Sequence, residues 1–483
     1  MGAARAADSG GSAPARMSLP TLTAMVVGGM VGAGVFSLPA RFGVATGVLG
    51  SLVAWAIAGA GMLMLAFVFQ NLAVRRPRLD SGVFVYAKAG FGDYAGFSSA
   101  IGFWASAVAG NAFYWVFITA TLGFFLDGFG DGDTVLAVAV SSVGVWLFHI
   151  LVARGVRDAA IINRIVTIFK ILPIIAFVVV LLISFDAGIF RENLFAYDDL
   201  GGLGEQITNT MVITTFVFIG IEGASVYSRY AKRREDVGRA TVLGFGSVLS
   251  IFALVTLSSY AVMPRAQIAG TRQPSMAGLF ASVVGPWGAT FISVGVVVSV
   301  LGAYLAWTLM AAEVIYHPAR SRDLPRVLGR ENAHGTPIAA LVVTSLAAQT
   351  LLVVTLFVSD ALNFMLDLCT SLALIPYLLA AAYAVKIAVT GEGYEGEQKA
   401  VRRRHAVVAG LAVGYTSFLF VAAGLKFLLL STVILAPLTV LYVRARREHG
   451  QRVFTRAESV AFAVVVVGAV VGVVGLATGR IPL

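Results

Sequence analysis

A chain of 483 residues that is 58% hydrophobic and 12% charged carries about half the charge of an ordinary soluble domain. Its apolar runs of about 20 residues, returning throughout, are each long enough to cross a hydrocarbon core. This excludes a soluble multidomain protein. The single cysteine, Cys369, excludes an intramolecular disulfide and a cysteine metal cluster.

The opening "MGAARAADSGGSAPAR" lacks the apolar core of a cleavable signal, and residues 1–17 read as a disordered cytoplasmic tail. Membrane segments are predicted at 19–40, 47–73, 93–126, 134–153, 160–184, 205–228, 239–263, 285–313, 338–358, 361–389, 406–424, 427–443 and 457–477. With the N-terminus inside, 28 of the 35 Lys and Arg fall in inner loops, and only Arg41, Arg191, Arg265, Arg272, Lys426 and Arg480 fall outside. That asymmetry is the positive-inside rule, and it accounts for the net charge of +10 without nucleic acid. The acidic connections "DGFGDGD" (127–133) and "YDDLGGLGE" (197–205) then lie outside. About thirteen spans, with the N-terminus inside and the C-terminus outside, satisfy the pattern. The weakest division is "GLK" (424–426). One basic residue remains, Lys170, inside the fifth segment.

The first segment contains "GGMVGAGVFSLP" (28–39), poor helix material, because each glycine costs about 1 kcal/mol relative to alanine and proline about 3. The sixth repeats the oddity in "FVFIGIEGASVYSRY" (216–230), where two glycines flank a glutamate. Small residues by themselves permit close helix packing. Two such stretches five segments apart point instead to inverted five-helix units with paired interrupted helices, the arrangement that marks a transporter substrate site. An unwound helix at mid-membrane must have its backbone groups satisfied by protein or a polar cavity. Its half-helix N-terminus offers N–H groups to a carboxylate, and its freed carbonyls accept from an ammonium.

These stretches, together with "SGVFVYAKAGFGDYAGFSSAIGFW" (81–104), "FIGIEGAS" (218–225) and "YLAWTLMAAEVIYHPARSRDLPRVLGRENAHGTP" (304–337), resemble in their order the amino acid–polyamine–organocation (APC) superfamily. Within it the likeness is to the basic amino acid/polyamine antiporters, and most of all to the arginine–ornithine antiporters. Val83 and Phe84 depart from that family's Gly and Tyr in the third-helix motif. The resemblance implies an all-α polytopic membrane protein with a LeuT-like 5+5 inverted repeat, discontinuous helices 1 and 6, and about three additional C-terminal helices. The ten-helix core would span 18–390, with repeats at about 18–185 and 205–390, then a cytoplasmic loop at 391–405 and accessory helices in 406–483.

The resemblance also implies roles. Gly32, Ala33 and Gly34 present N–H groups to a substrate carboxylate, while Ile219, Gly220 and Ile221 offer carbonyls to the α-ammonium. Phe216 stands where relatives cover the substrate with Trp, Trp307 where they stack on the arginine side chain, and Asn111 where an amide lines the pocket. A guanidinium over an indole gains roughly 0.5 to 2 kcal/mol. Asp367, with Cys369 and Thr370, falls on the tenth-helix turn.

Glu222 and Asp367 are the acids deepest in the apolar runs, and intramembrane acids are functional by default. Asp367 is the first candidate to neutralise a guanidinium or δ-ammonium, and Glu222 to couple gating to protonation. The resemblance further implies that Lys170 stands where sodium sits in sodium-coupled cousins, against the first-helix break; the alternative is snorkelling to the inner interface. No Walker motif, HExxH or nucleophile elbow occurs, so neither an enzyme nor a cofactor or metal is expected.

The expected function is exchange of arginine for ornithine across the cytoplasmic membrane, with lysine as a further substrate. The alternative is a proton-coupled symporter of lysine or another amino acid. The expected partners are these small molecules and the lipid bilayer, without nucleic acid; pairing as a homodimer stays open.

Overall fold

The computed structural model describes residues 18–77, 79, 83–155, 159–221 and 234–481. All regular structure among them is helical. The first half runs α1 Leu19–Met30, a 3-10 turn Ala33–Ser37, α2 Leu38–Ala45, α3 Val48–Arg75, α4 Val83–Phe91, α5 Asp93–Gly123, α6 Val135–Ala153 and α7 Ala159–Ile183. Short α8 Ala187–Glu192 and α9 Tyr197–Leu200 lead to α10 Leu203–Val217 and α11 Arg234–Ser259. Short α12 Arg265–Ala269 and α13 Ser275–Val284 precede α14 Pro286–Arg320, α15 Ile338–Val354 and α16 Ala361–Thr390, and α17 Lys399–Glu448 and α18 Arg456–Ala477 close the chain.

Nine of the described helices are long and apolar enough to cross a membrane, and α1 with α2, bent by 48°, makes a tenth crossing. The segments predicted at 47–73, 134–153, 338–358, 361–389 and 457–477 match α3, α6, α15, α16 and α18 to within a few residues. The one at 160–184 falls on α7, which is not among the nine, the one at 205–228 starts on α10 and runs outside the described residues, and those at 406–424 and 427–443 share α17. At 50 residues α17 would be about 75 Å long if straight, more than twice a hydrocarbon core of about 30 Å. It is not straight: Gly424 takes φ 78° and ψ 162° in its middle, a conformation glycine adopts without penalty. The three residues "GLK" therefore do separate two membrane-length helices, with almost no loop between them.

Helix packing repeats with a period of five segments. α1 lies on α11 as α10 lies on α3, α5 on α16 as α14 on α7, and α5 on α6 as α14 on α15. The pairs α3–α11, α5–α14 and α6–α15 map onto themselves. A repeated five-helix unit related by a twofold axis produces this pattern. At the centre is α5, buried along nearly its whole length.

The C-terminal helices are bonded to this core at the basic end of the bundle. Gly92, at φ 98°, turns the chain from α4 into α5. One Glu458 oxygen accepts from the Tyr94 amide at 2.9 Å, and the other accepts from the Thr455 amide at 2.8 Å. The second contact is half of a capping box at the start of α18, so one carboxylate serves two helix N-termini. Tyr94 also meets the Thr439 hydroxyl of α17 at 3.1 Å, and Arg446 pairs with Asp93 at 2.8 Å.

Candidate functional site

The first segment breaks where the glycines stand. α1 ends at Met30, Gly32 is extended, and the 3-10 turn begins at Ala33. The leading N–H groups of a helix have no preceding turn to donate to, so the Gly32–Gly34 stretch supplies donors at the positive end of the following half-helix. The sixth segment leaves its helix at Val217, tightens through the Phe218–Thr215 and Ile219–Phe216 backbone bonds, and reaches Gly220 at φ 108°. Glu222 lies outside the described residues.

The two breaks touch. A side chain on Gly220 would come within 2.9 Å of the Gly29 carbonyl oxygen, and one on Gly34 within 2.7 Å of the Phe216 ring. Between them lies a cavity of about 30 Å³ lined by Gly32, Ala33, Gly34, Phe216, Ile219, Trp307 and Cys369, with Gly110 and Tyr114 of α5 closing it. That volume holds about one or two water molecules. Phe216 is seated on the Gly34 turn.

Behind the first break stands Lys170. The residue is 3% exposed, and its ammonium donates to the Gly28 carbonyl at 2.6 Å. In an unbroken helix that carbonyl would bond four residues on, to the Gly32 amide. A cation at the negative end of α1 thus replaces a backbone donor, and the ammonium points at the break, not at the interface.

Other predicted residues lie further back. Asn111 is buried on α5; its amide reaches the Thr308 hydroxyl at 3.4 Å, and its carbonyl oxygen has no hydrogen-bond partner among the described residues. Thr370 is buried and donates to the Leu366 carbonyl, while Ile221 is buried beside Gly220. None of the three lines the cavity.

Asp367 occupies a different compartment. It lines a vestibule of about 990 Å³ on the side of the acidic connections, along with Arg41, Asp131, Arg272 and Asp360. There its carboxylate lies 2.7 Å from the Arg41 guanidinium, whose side chain is 9% exposed. The acid expected to meet a substrate cation is already occupied by a cation of this chain.

Sequence reasoning missed Arg41 and Tyr114. The Tyr114 hydroxyl stands 3.4 Å from where a Cβ on Gly32 would be, so an O–H joins the backbone donors. Ser106, Gly110 and Tyr114 follow at four-residue spacing along one face of α5. Ser106 donates to the Cys369 carbonyl at 2.7 Å. Backbone donors, carbonyls and two aromatic walls around one cavity suit a zwitterion carrying a cationic or apolar tail.

The sequence profile of the amino acid permeases matches residues 17–430. The chain belongs to the amino acid permease family. The match runs from just before α1 to just past the Gly424 turn in α17. Similarity to individual proteins extends further. An arginine/ornithine antiporter of Pseudomonas aeruginosa is 46% identical over 476 residues, 97% of this permease and 98% of that protein. An L-lysine transport protein of Corynebacterium glutamicum is 38% identical, covering 99% of each chain. A putative arginine/ornithine antiporter of Escherichia coli K12 is 40% identical, covering 94% of this chain and 98% of that one. The family and these relatives are carriers, not enzymes.

Proposed function

We propose that this permease exchanges arginine for ornithine across the cytoplasmic membrane, with its N-terminus in the cytoplasm and its C-terminus outside. The observation that carries the substrate is the 46% identity to an arginine/ornithine antiporter across nearly the whole of both chains. The paired breaks supply the mechanism. Gly32 to Gly34 and the Tyr114 hydroxyl hold the carboxylate, Ile219 to Ile221 accept from the α-ammonium, and Trp307 receives the side-chain cation. The Asn111 oxygen, without a partner among the described residues, is a further acceptor once the cavity opens.

The transport core spans 18–390 in two inverted repeats, the loop 391–405 is cytoplasmic, and 406–483 are accessory. Entry requires Phe216 to leave the Gly34 turn. Asp367 and Arg41 act in the vestibule as an ion pair that a cationic substrate passes, and Lys170 stands as a fixed cation against the first break. Arginine and ornithine each carry one net positive charge near neutral pH, so one-for-one exchange moves no net charge and runs on the two concentration gradients.

The test is uptake of labelled arginine into proteoliposomes. Uptake that depends strongly on internal ornithine supports exchange. Uptake into vesicles without internal substrate, driven by a pH gradient, would replace it with proton symport, and preference for lysine would move the substrate toward that of the Corynebacterium relative.

A further inference from the structure

At the basic end of the bundle, α3 presents two adjoining clefts on its outer side. The first, about 430 Å³, lies between α3 and the start of α17, with Met64, Phe67 and Val408 on its walls and Arg75 and Arg404 at its rim. The second, about 530 Å³, lies between α3 and α11 and is rimmed by Arg239 over Leu243. Phe67 and Gln70 belong to both, so the clefts meet along one ridge. The surrounding surface is exposed and apolar at Val74, Val407, Leu411, Val242 and Leu243, as a surface facing acyl chains is.

The rim is unbalanced in charge. Arg75 is fixed in place: it stacks on Tyr394 at 3.8 Å, bonds Asn71 at 2.8 Å and the Gly393 carbonyl at 3.0 Å, and meets Glu397 at 3.4 Å. Arg404 and Arg239 are exposed and take part in no ion pair among the described residues. Guanidinium groups above an apolar groove, near the ends of three apolar helices, match a phosphate above two acyl chains.

We propose that these clefts form a binding site for an anionic phospholipid, its headgroup phosphate held by Arg404 and Arg239 and its chains lying on Met64, Phe67, Val408 and Leu243. The lipid would join α3 and α11, one helix from each five-helix unit, to the first accessory helix. A soluble phosphate compound lacks the chains that the apolar walls receive, so the site is one for a lipid.

The test is native mass spectrometry of the full chain in detergent, titrated with phosphatidylglycerol or with phosphatidylcholine of the same chains. The wild type should retain phosphatidylglycerol saturably and at least tenfold more strongly than phosphatidylcholine. Arg404→Ala with Arg239→Ala should lose that preference, and Arg404→Lys with Arg239→Lys should keep most of it. Arg447→Ala, which removes an exposed cation from the same basic end but outside the clefts, should leave it intact. Equal losses in the Arg447 and the Arg404/Arg239 variants would reduce the effect to general surface attraction and overturn the site, as would equal retention of the two lipids by the wild type. A rise in unfolding temperature with phosphatidylglycerol, present in the wild type and absent from the paired alanine variant, gives a second reading. Neither measurement depends on transport, so failure here and failure of the exchange reading are separate results.

Discussion

Lys170 on α7 and Gly28 on α1 are joined by a 2.6 Å hydrogen bond from ammonium to carbonyl, which places a covalently held cation at the end of a helix that stops short. A resident cation removes the need for a dissolved one. Exchange should therefore run at the same rate when sodium is replaced by choline. Lys170→Met leaves the Gly28 carbonyl without its donor; bonds to charged groups contribute about 1.5–3 kcal/mol. A fall in exchange of roughly tenfold or more is expected, read as initial uptake per molecule of inserted protein.

Gly220 and Gly29 face each other across the two breaks but differ in what they tolerate. Gly220 has φ 108° and would drive a Cβ to 2.9 Å from backbone, whereas a Cβ on Gly29 would meet nothing closer than 3.9 Å. Gly220→Ala should thus carry a strain of about 1–3 kcal/mol and lose most transport, while Gly29→Ala should stay near wild type. Equal activity of the two variants would contradict the contact between the breaks.

Trp307 and Tyr114 should separate the two ends of the substrate. Trp307→Ala should weaken arginine binding roughly 2- to 30-fold, the range of a cation–π contact, and leave an uncharged analogue such as citrulline little affected. Tyr114→Phe removes a hydroxyl from the carboxylate end and should weaken both ligands alike. Equilibrium binding of the two ligands to purified protein tells these patterns apart.

Arg41 and Asp367 are best probed together. Either Asp367→Asn or Arg41→Gln alone leaves a partly buried charge unpaired, which is more damaging than losing both. A coupling of about 0.5–3 kcal/mol is expected between them, seen as a double variant less destabilised in thermal unfolding than the two single variants predict. Arginine affinity in the double variant should stay close to wild type if Asp367 belongs to the vestibule; a large loss would return it to the substrate pocket.

What could be read from the chain, and what could not, follows from the physics of an apolar solvent. Glycine and proline inside a spanning segment are conspicuous because nothing in lipid favours them, so the break at Gly32 and the one at Gly220 were legible. A lysine among apolar residues is equally conspicuous, and Lys170 lies against the first break. Asp367 was visible as an acid but not its partner, since Arg41 lies 326 positions away and looks like an ordinary loop residue. Tyr114 was invisible for a different reason. Buried nearly all round, α5 has no polar face to set its rotation, and only the packed bundle reveals that Gly110 and Tyr114, rather than Asn111, border the cavity.

The double duty of Glu458 bears on how the protein is made. The Tyr94 amide is among the early parts of the chain to reach the bilayer, yet the carboxylate that accepts from it is synthesised 364 residues later. The start of α5 therefore reaches its native bonding only after residue 458 has been made, and the scaffold can be assembled in outline but not locked until then. A stop codon before residue 458 would leave the central helix waiting for an acceptor that never arrives.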